Sequence, residues 1–119
     1  MSQDGLDQLR MRLREFAAER DWERFHTPKN LAMALAGEVG ELLEIFQWLT
    51  PEEAQAVMAS ARAGDVEDEL ADVLIYLVRL ADVLDFDLLD VARHKMERNQ
   101  DRFPPGEVRG LADVPPTQR

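Results

Sequence analysis

The chain has 119 residues, a length typical of a single domain. Its 24 acidic residues outnumber 14 basic ones, and this net charge of −10 argues against a role in coating nucleic acid, because phosphate binding needs a basic face. The chain contains no cysteine, which excludes disulfides, thiolate metal sites and cysteine nucleophiles. No apolar run approaches the roughly 20 residues of a membrane span. We therefore expect a cytoplasmic protein without a membrane or nucleic-acid partner.

Apolar residues recur at helical spacing along most of the chain, and no segment alternates as a strand does. Ser or Asp before the first periodic run, Thr-Pro before the second and third, and Asp before the fourth are typical helix starts. The predicted helices are one capped by Ser2 or Asp4, one from Pro28 to about Leu49, one from Thr50 to near Gly64, one capped by Asp65 from about Val66 to Leu84, and one from about Leu88 to Phe103.

These elements predict an all-α fold, a helical bundle of about five helices in a single domain over residues 1–104. The remaining segment, residues 105–119, has scattered apolar residues and no helical periodicity. Four of the six prolines lie from Pro104 onward. We predict a proline-rich, flexible tail there.

Two predicted helices carry acidic residues on the side that their apolar residues predict to be buried. At about 100° per residue, Glu38 lies within the apolar stripe of the second helix and Glu41 at its edge. The fourth helix repeats this arrangement with Glu69 and Asp72. The two stripes consist of Leu31, Leu35, Val39, Leu42, Phe46 and Leu49, and of Val66, Leu70, Val73, Leu77, Leu80 and Leu84.

If the two helices pack through these stripes, the four carboxylates converge at one border of the interface. Four nearby carboxylates cannot all stay ionised without a cation. Oxygen ligands suit Mg²⁺, which also binds substrate phosphates, so the pattern indicates a Mg²⁺ site that recruits a polyphosphate and activates water. The alternative is two solvated surface pairs, since Glu-x-x-Glu is common on helices. A bundle di-iron site normally needs Glu-x-x-His motifs on the helices that hold the metal, and neither of these two helices contains a histidine.

Four segments resemble, in the same order, the MazG-like nucleotide pyrophosphohydrolases and most nearly their dCTP pyrophosphatase branch. They are residues 20–26 (RDWERFH) with Asn30-Leu31, residues 37–42 (GEVGEL), residues 69–76 (ELADVLIY) and residues 95–99 (KMERN). Glu-x-x-Glu followed by Glu-x-x-Asp is the metal-binding signature of that family. The resemblance covers about residues 5–104.

The resemblance implies an all-α enzyme that cleaves nucleoside triphosphates between the α- and β-phosphates. The products are a nucleoside monophosphate and pyrophosphate. Carried over by residue, Glu38, Glu41, Glu69 and Asp72 are the catalytic positions that hold Mg²⁺ and orient the attacking water. The general base among them is left open.

Six further positions are candidates for substrate binding: Trp22, His26, Trp48, Tyr76, Lys95 and Asn99. An aromatic side chain can stack on a base, lysine suits a phosphate, and asparagine can both donate to and accept from a base edge. For the tryptophans the alternative is packing or an oligomer contact, and for the histidine a structural role.

We expect a Mg²⁺-dependent nucleoside triphosphate pyrophosphohydrolase acting on dCTP or a modified dCTP. The resemblance implies a homo-oligomer, with a tetramer favoured and a dimer possible, in which neighbouring subunits help to complete each pocket. Two alternatives stay open. One is a related enzyme for dUTP or phosphoribosyl-ATP, and the other is a non-catalytic helical oligomerisation module.

Overall fold

The computed structural model describes residues 5–111, which form helices and turns without a strand in that range. The expected all-α fold is confirmed. The helices are α1 (Gly5–Glu19), α2 (Pro28–Phe46), α3 (Pro51–Gln55), α4 (Ala63–Val83), α5 (Leu88–Arg102) and α6 (Pro105–Val108), with 3₁₀ turns at Glu23–Phe25 and Val57–Ala59. The candidate caps Ser2 and Asp4 lie outside the described residues.

Two helix starts form as their local sequences predict. The Thr27 hydroxyl accepts the backbone N–H of Asn30 at 3.2 Å and opens α2. Thr50 and Glu53 make a reciprocal capping box at α3, with bonds of 2.8 and 3.1 Å between side chain and backbone N–H. Both caps satisfy backbone donors that a helix leaves unpaired, so sequence alone is sufficient to place these two helix starts.

The segment between α2 and α4 differs from the prediction of one continuous third helix. The helix α3 ends at Gln55, and a 3₁₀ turn follows in which Val57 is buried. Burial of Val57 in the core outweighs the local helical preference of this segment. The start of α4 also differs, because Arg62 occupies the cap position and Asp65 lies in the first turn, paired with Arg62 at 2.9 Å.

The helix α4 packs against both α1 and α2. A cluster of Ile45, Val57 and Val66 forms the core at one end of the α2–α4 pair, with Phe46 and Leu49 packed against it. The predicted stripes are only partly buried. Contrary to that prediction, one border stays exposed in the chain, at Val39, Leu70, Leu77 and Leu84. The stripes are therefore wider than a single helix–helix contact can cover.

The chain divides into two compact units, one ending at Asp85 and one beginning at Phe86. In the second unit, Asp87 caps α5 by accepting the N–H of Asp90 at 2.9 Å. The short helix α6 lies inside the predicted tail, residues 105–119, of which residues 112–119 lie outside the described residues. Within the described range, no helix is both long and apolar enough to cross a membrane.

Candidate metal and nucleotide site

Three of the four predicted acidic residues come together between α2 and α4. One carboxylate oxygen from each of Glu38, Glu41 and Glu69 lies within 4.8 Å of the other two. Glu38 and Glu69 are half-buried and Glu41 is exposed. We call these three residues the acid cluster. The register of the two helices produces it, since Glu38 and Glu69 each lie within a stripe through which their helix packs.

Among the described residues, no basic side chain pairs with the acid cluster. The Oε2 atoms of Glu38 and Glu69 are buried and have no hydrogen-bond partner among residues 5–111. The neighbouring Glu38 carboxyl raises the pKa of Glu69 to about 7, and loss of hydration and the Glu41 charge add to this effect. The Glu69 carboxyl in turn lowers the pKa of Glu38, but desolvation and the charges of Glu41 and Asp72 leave it raised overall.

A buried carboxylate pair of this kind needs either a proton or a cation between its members. Oxygen donors with this spacing, open to solvent on the Glu41 side, suit a hard divalent cation. The donor set therefore fits a divalent metal. The fourth predicted ligand, Asp72, lies outside the trio but is close enough for its charge to act on Glu38.

A cleft of about 400 Å³ extends from Asp72 along the surface between α1 and α4. Its lining includes Phe16, Trp22, His26, Asp72, Tyr76 and Arg79, and we call it the aromatic cleft. Trp22 packs edge-on against both Phe16 and His26, with centroid distances of 5.7 and 6.5 Å. The cleft thus offers aromatic surface on which a base can stack, next to the acidic side chain of Asp72.

The structure brings four predicted site residues to this cleft: Trp22, His26, Asp72 and Tyr76. Trp48 is instead 86% exposed, in the turn after α2. Lys95 and Asn99 lie four residues apart on α5, with Lys95 exposed and Asn99 half-buried. For these last three residues, a role in substrate binding stays a prediction.

A second charged cluster was not predicted. The Asp82 carboxylate on α4, only 6% exposed, accepts hydrogen bonds from Arg14 at 2.5 and 3.1 Å, from Arg10 at 3.3 Å and from Arg79 at 3.1 Å. We call these four residues the Asp82 cluster. It joins α1 to α4. Burial alone would raise the pKa of Asp82, but hydrogen bonds from Arg14 and Arg10 and their charges hold it below its usual value.

Arg79 also reaches the aromatic cleft, where its Nε donates to Nδ1 of His26 at 3.0 Å. Sequence reasoning missed Arg79 although a signal was present. At about 100° per residue, Arg79 lies only about 20° from Asp72 around the helix. An arginine that close to a candidate ligand, within an apolar run, is itself a candidate site residue.

The chain combines an all-α fold with an acid cluster that suits a cation and with an aromatic cleft beside that cluster. These are features of a nucleotide-processing protein. A model of the MazG-like family matches residues 34–112. The chain belongs to the MazG-like family.

The chain is also similar to individual proteins. It is 49% identical to dCTP pyrophosphatase 1 of Bos taurus over 113 residues, which are 93% of this chain and 66% of that protein. It is 50% identical to dCTP pyrophosphatase 1 of Homo sapiens over 101 residues, 83% of this chain and 59% of that protein. This chain thus spans a little under two thirds of the length of these relatives.

Among solved structures, the chain resembles that of a pyrophosphatase from Archaeoglobus fulgidus DSM 4304. The TM-score is 0.80 and the identity 44%, over 87% of this chain and 96% of that one. The helical arrangement around the acid cluster is therefore shared across most of both chains.

Proposed function

We propose that this protein is a Mg²⁺-dependent nucleoside triphosphate pyrophosphohydrolase that converts dCTP, or a modified dCTP, to the monophosphate and pyrophosphate. The observation that carries the proposal is the acid cluster, in which two buried carboxylate oxygens lack a partner among the described residues. An enzyme for polyphosphates needs such a site, because its substrate is itself an anion and the chain carries a net charge of −10.

In this proposal Glu38, Glu41, Glu69 and Asp72 hold the metal. When bound, Mg²⁺ would neutralise phosphate charge and activate the attacking water. Without metal, the Glu38 carboxyl, burial and the Glu41 charge raise the pKa of Glu69 to about 7. Bound Mg²⁺ would keep these acids ionised at neutral pH.

The aromatic cleft is the proposed nucleoside site. Trp22 offers a stacking face, and Tyr76 and His26 border the same space. Asp72 lines the cleft and also acts electrostatically on Glu38, so a base in the cleft would lie next to phosphates at the acid cluster. Lys95 and Asn99 are the proposed phosphate and base contacts from α5.

Support for dCTP as the substrate comes from the names of the bovine and human relatives, which match most of this chain at about half identity. Selectivity for one base depends on pocket shape. It therefore needs a direct comparison of dCTP with dUTP and with phosphoribosyl-ATP, the substrates of the alternative activities.

We also propose that the protein is a cytoplasmic homo-oligomer, with a tetramer favoured over a dimer. Apolar side chains exposed along α2 and α4 support an assembly, among them Val39, Leu43, Leu70 and Leu74. Their exposed fractions range from 40% to 59%. Trp48, at 86% exposed, is then a candidate to complete the pocket of a neighbouring subunit.

Product analysis tests the function. The purified protein is incubated with Mg²⁺ and each of a panel of nucleotides, and the products are separated by ion-exchange chromatography. Monophosphate and pyrophosphate from dCTP are expected. Diphosphate and inorganic phosphate would indicate a different hydrolase, and no turnover of any nucleotide would favour the non-catalytic module. Sedimentation of the same sample tests the oligomer.

A further inference from the structure

The hydrogen bond between Arg79 and His26 determines which nitrogen of the imidazole carries the proton. Arg79 has donors only, so Nδ1 of His26 must be the acceptor in the 3.0 Å contact. A neutral imidazole that accepts at one nitrogen carries its proton on the other. The ring is therefore held with a proton on Nε2.

Arg79 is itself held in place. It is buried, with 7% of its surface exposed, and its Nη1 donates to Asp82 at 3.1 Å while Nε donates to His26. Asp82 is fixed in turn by Arg10 and Arg14 from α1. A buried guanidinium whose Nη1 is held by Asp82 has little freedom to rotate, so its Nε–H points at His26 in a constant direction.

The imidazole lies at the aromatic cleft, which His26 lines together with Trp22, Asp72 and Arg79. Within residues 5–111, Nδ1 is the ring nitrogen that forms a hydrogen bond with another side chain, and Nε2 forms none. Burial, followed by the Arg79 charge, lowers the pKa of His26, so the ring is neutral at pH 7 and above.

We propose that Arg79 is a positioning residue, which fixes His26 as the Nε2–H tautomer so that His26 presents a hydrogen-bond donor to the nucleotide in the aromatic cleft. This inference rests on the proposed function. A fixed Nε2–H selects ligands with an acceptor at that point, such as a ring nitrogen or carbonyl oxygen of a base. A ligand group that carries a proton there would be rejected.

The first test reads the tautomer directly. Nitrogen–proton correlation NMR of the imidazole rings at pH 7.5 distinguishes the two tautomers, and the chain has only two histidines, His26 and His94. H94Q assigns the signals. The expected result is an Nε2–H ring at His26 in the wild-type protein and a mixture of tautomers in R79M. An Nδ1–H or doubly protonated ring in the wild type overturns the proposal.

The second test measures dCTP turnover. R79M should raise KM about five- to tenfold, as expected for one hydrogen bond, and leave kcat within about twofold. R79Q keeps an N–H donor and should recover most of the loss. R14M is the matched control, because it removes another guanidinium from Asp82 but keeps the bonds that join Arg10, Asp82, Arg79 and His26. Its KM should stay within about twofold of the wild-type value. An equal effect of R14M would mean that Arg79 acts only through stability.

A double-mutant cycle separates positioning from direct contact. In H26Q the side-chain amide supplies a donor that has no tautomer to select, so adding R79M should change KM by less than about twofold. A full five- to tenfold increase in that background would show that Arg79 binds the nucleotide itself, and the proposal would be wrong. If no variant, including the wild type, hydrolyses a nucleotide, the proposed function fails, and the NMR result alone still decides the tautomer.

Discussion

Two clusters of buried charge lie on α4, thirteen residues apart, and their electrostatics are opposite. Around Glu69 the neighbours are other carboxylates, and its pKa is raised to about 7. Around Asp82 the neighbours are three arginines, and its pKa is lowered. Both carboxylates are costly to desolvate. Only the acid cluster lacks its counter-charge within the described chain, so a buried acid indicates a ligand site only when the fold does not neutralise it.

The largest expected effect is on catalytic activity, and it should follow substitutions at the proposed metal ligands. We expect E41Q or D72N to lower kcat about 10²–10³-fold, the usual effect of removing one electrostatic stabiliser from an active site. Helical circular dichroism should stay unchanged, since these acids are not held by packing. E44Q is the matched control, an exposed acid on the same helix α2. Joint loss of helicity and activity would instead make the acids structural.

The next effect is on stability. D82N should lower the free energy of unfolding by about 3 kcal/mol, because Arg79 is left buried without its carboxylate. The measurement is urea unfolding at pH 7. D65N on the same helix, in an exposed pair with Arg62, should change stability by less than about 1 kcal/mol. Equal effects of D82N and D65N would show that burial of the Asp82 cluster contributes nothing.

The stability lost in D82N should depend on pH, with a sign that follows from the lowered pKa of Asp82. The folded pKa of Asp82 lies below its ordinary value of 3.8, so its contribution to stability is present above about pH 3.8 and is lost as the pH falls through the folded pKa. The difference between wild type and D82N should therefore shrink in acid. A constant difference down to pH 2 would contradict the ion-pair assignment.

The acid cluster could be predicted from the sequence, and the Asp82 cluster could not. Helical periodicity placed Glu38 and Glu69 on packed stripes, and Thr27 and Thr50 marked helix starts, because each signal is contained within a few turns of helix. The Asp82 cluster was missed because its partners Arg10 and Arg14 are 72 and 68 residues away in sequence. Only tertiary packing brings them together.

Mg²⁺ binding should change how the stability of the protein depends on pH. Without metal, the pKa of Glu69 in the folded protein is raised to about 7 from its ordinary value of 4.5. The stability contributed by its protonated form is complete below about pH 4.5 and is lost as the pH rises through 7. Saturating Mg²⁺ keeps the carboxylates ionised and removes this slope. Thermal unfolding with and without Mg²⁺, from pH 5.5 to 7.5, should show a growing stabilisation.

At a hundredfold excess over its dissociation constant, Mg²⁺ should add about 2.7 kcal/mol at the upper end of that pH range. E69Q should abolish the growth with pH and E44Q should keep it. Groups outside the acid cluster contribute alike to both series, so the difference between the curves isolates the acid cluster. Unchanged melting at every pH would mean that metal binds only together with a nucleotide.

The smallest expected effect lies in the aromatic cleft, which touches both clusters through Asp72 and Arg79. Stacking on one aromatic side chain contributes about 1–3 kcal/mol per base, so W22A should weaken nucleotide binding about tenfold. Mg²⁺ affinity should stay unchanged, because Trp22 contacts Phe16 and His26 and belongs to neither cluster. Calorimetry with a non-hydrolysable dCTP analogue and with Mg²⁺ alone measures the two affinities separately.

W22F should recover part of the nucleotide affinity, since a smaller ring still stacks. W48A tests the other tryptophan, which is 86% exposed and is not among the residues that line the aromatic cleft of its own chain. If Trp48 completes the pocket of a neighbouring subunit, W48A should also weaken the nucleotide more than Mg²⁺, and the loss should disappear in dilute samples where the wild-type assembly dissociates. Unchanged nucleotide affinity in W22A would remove the aromatic cleft from the proposed site. The acid cluster would then need a different nucleoside pocket, because its carboxylates can bind the metal and the phosphates but cannot distinguish one base from another.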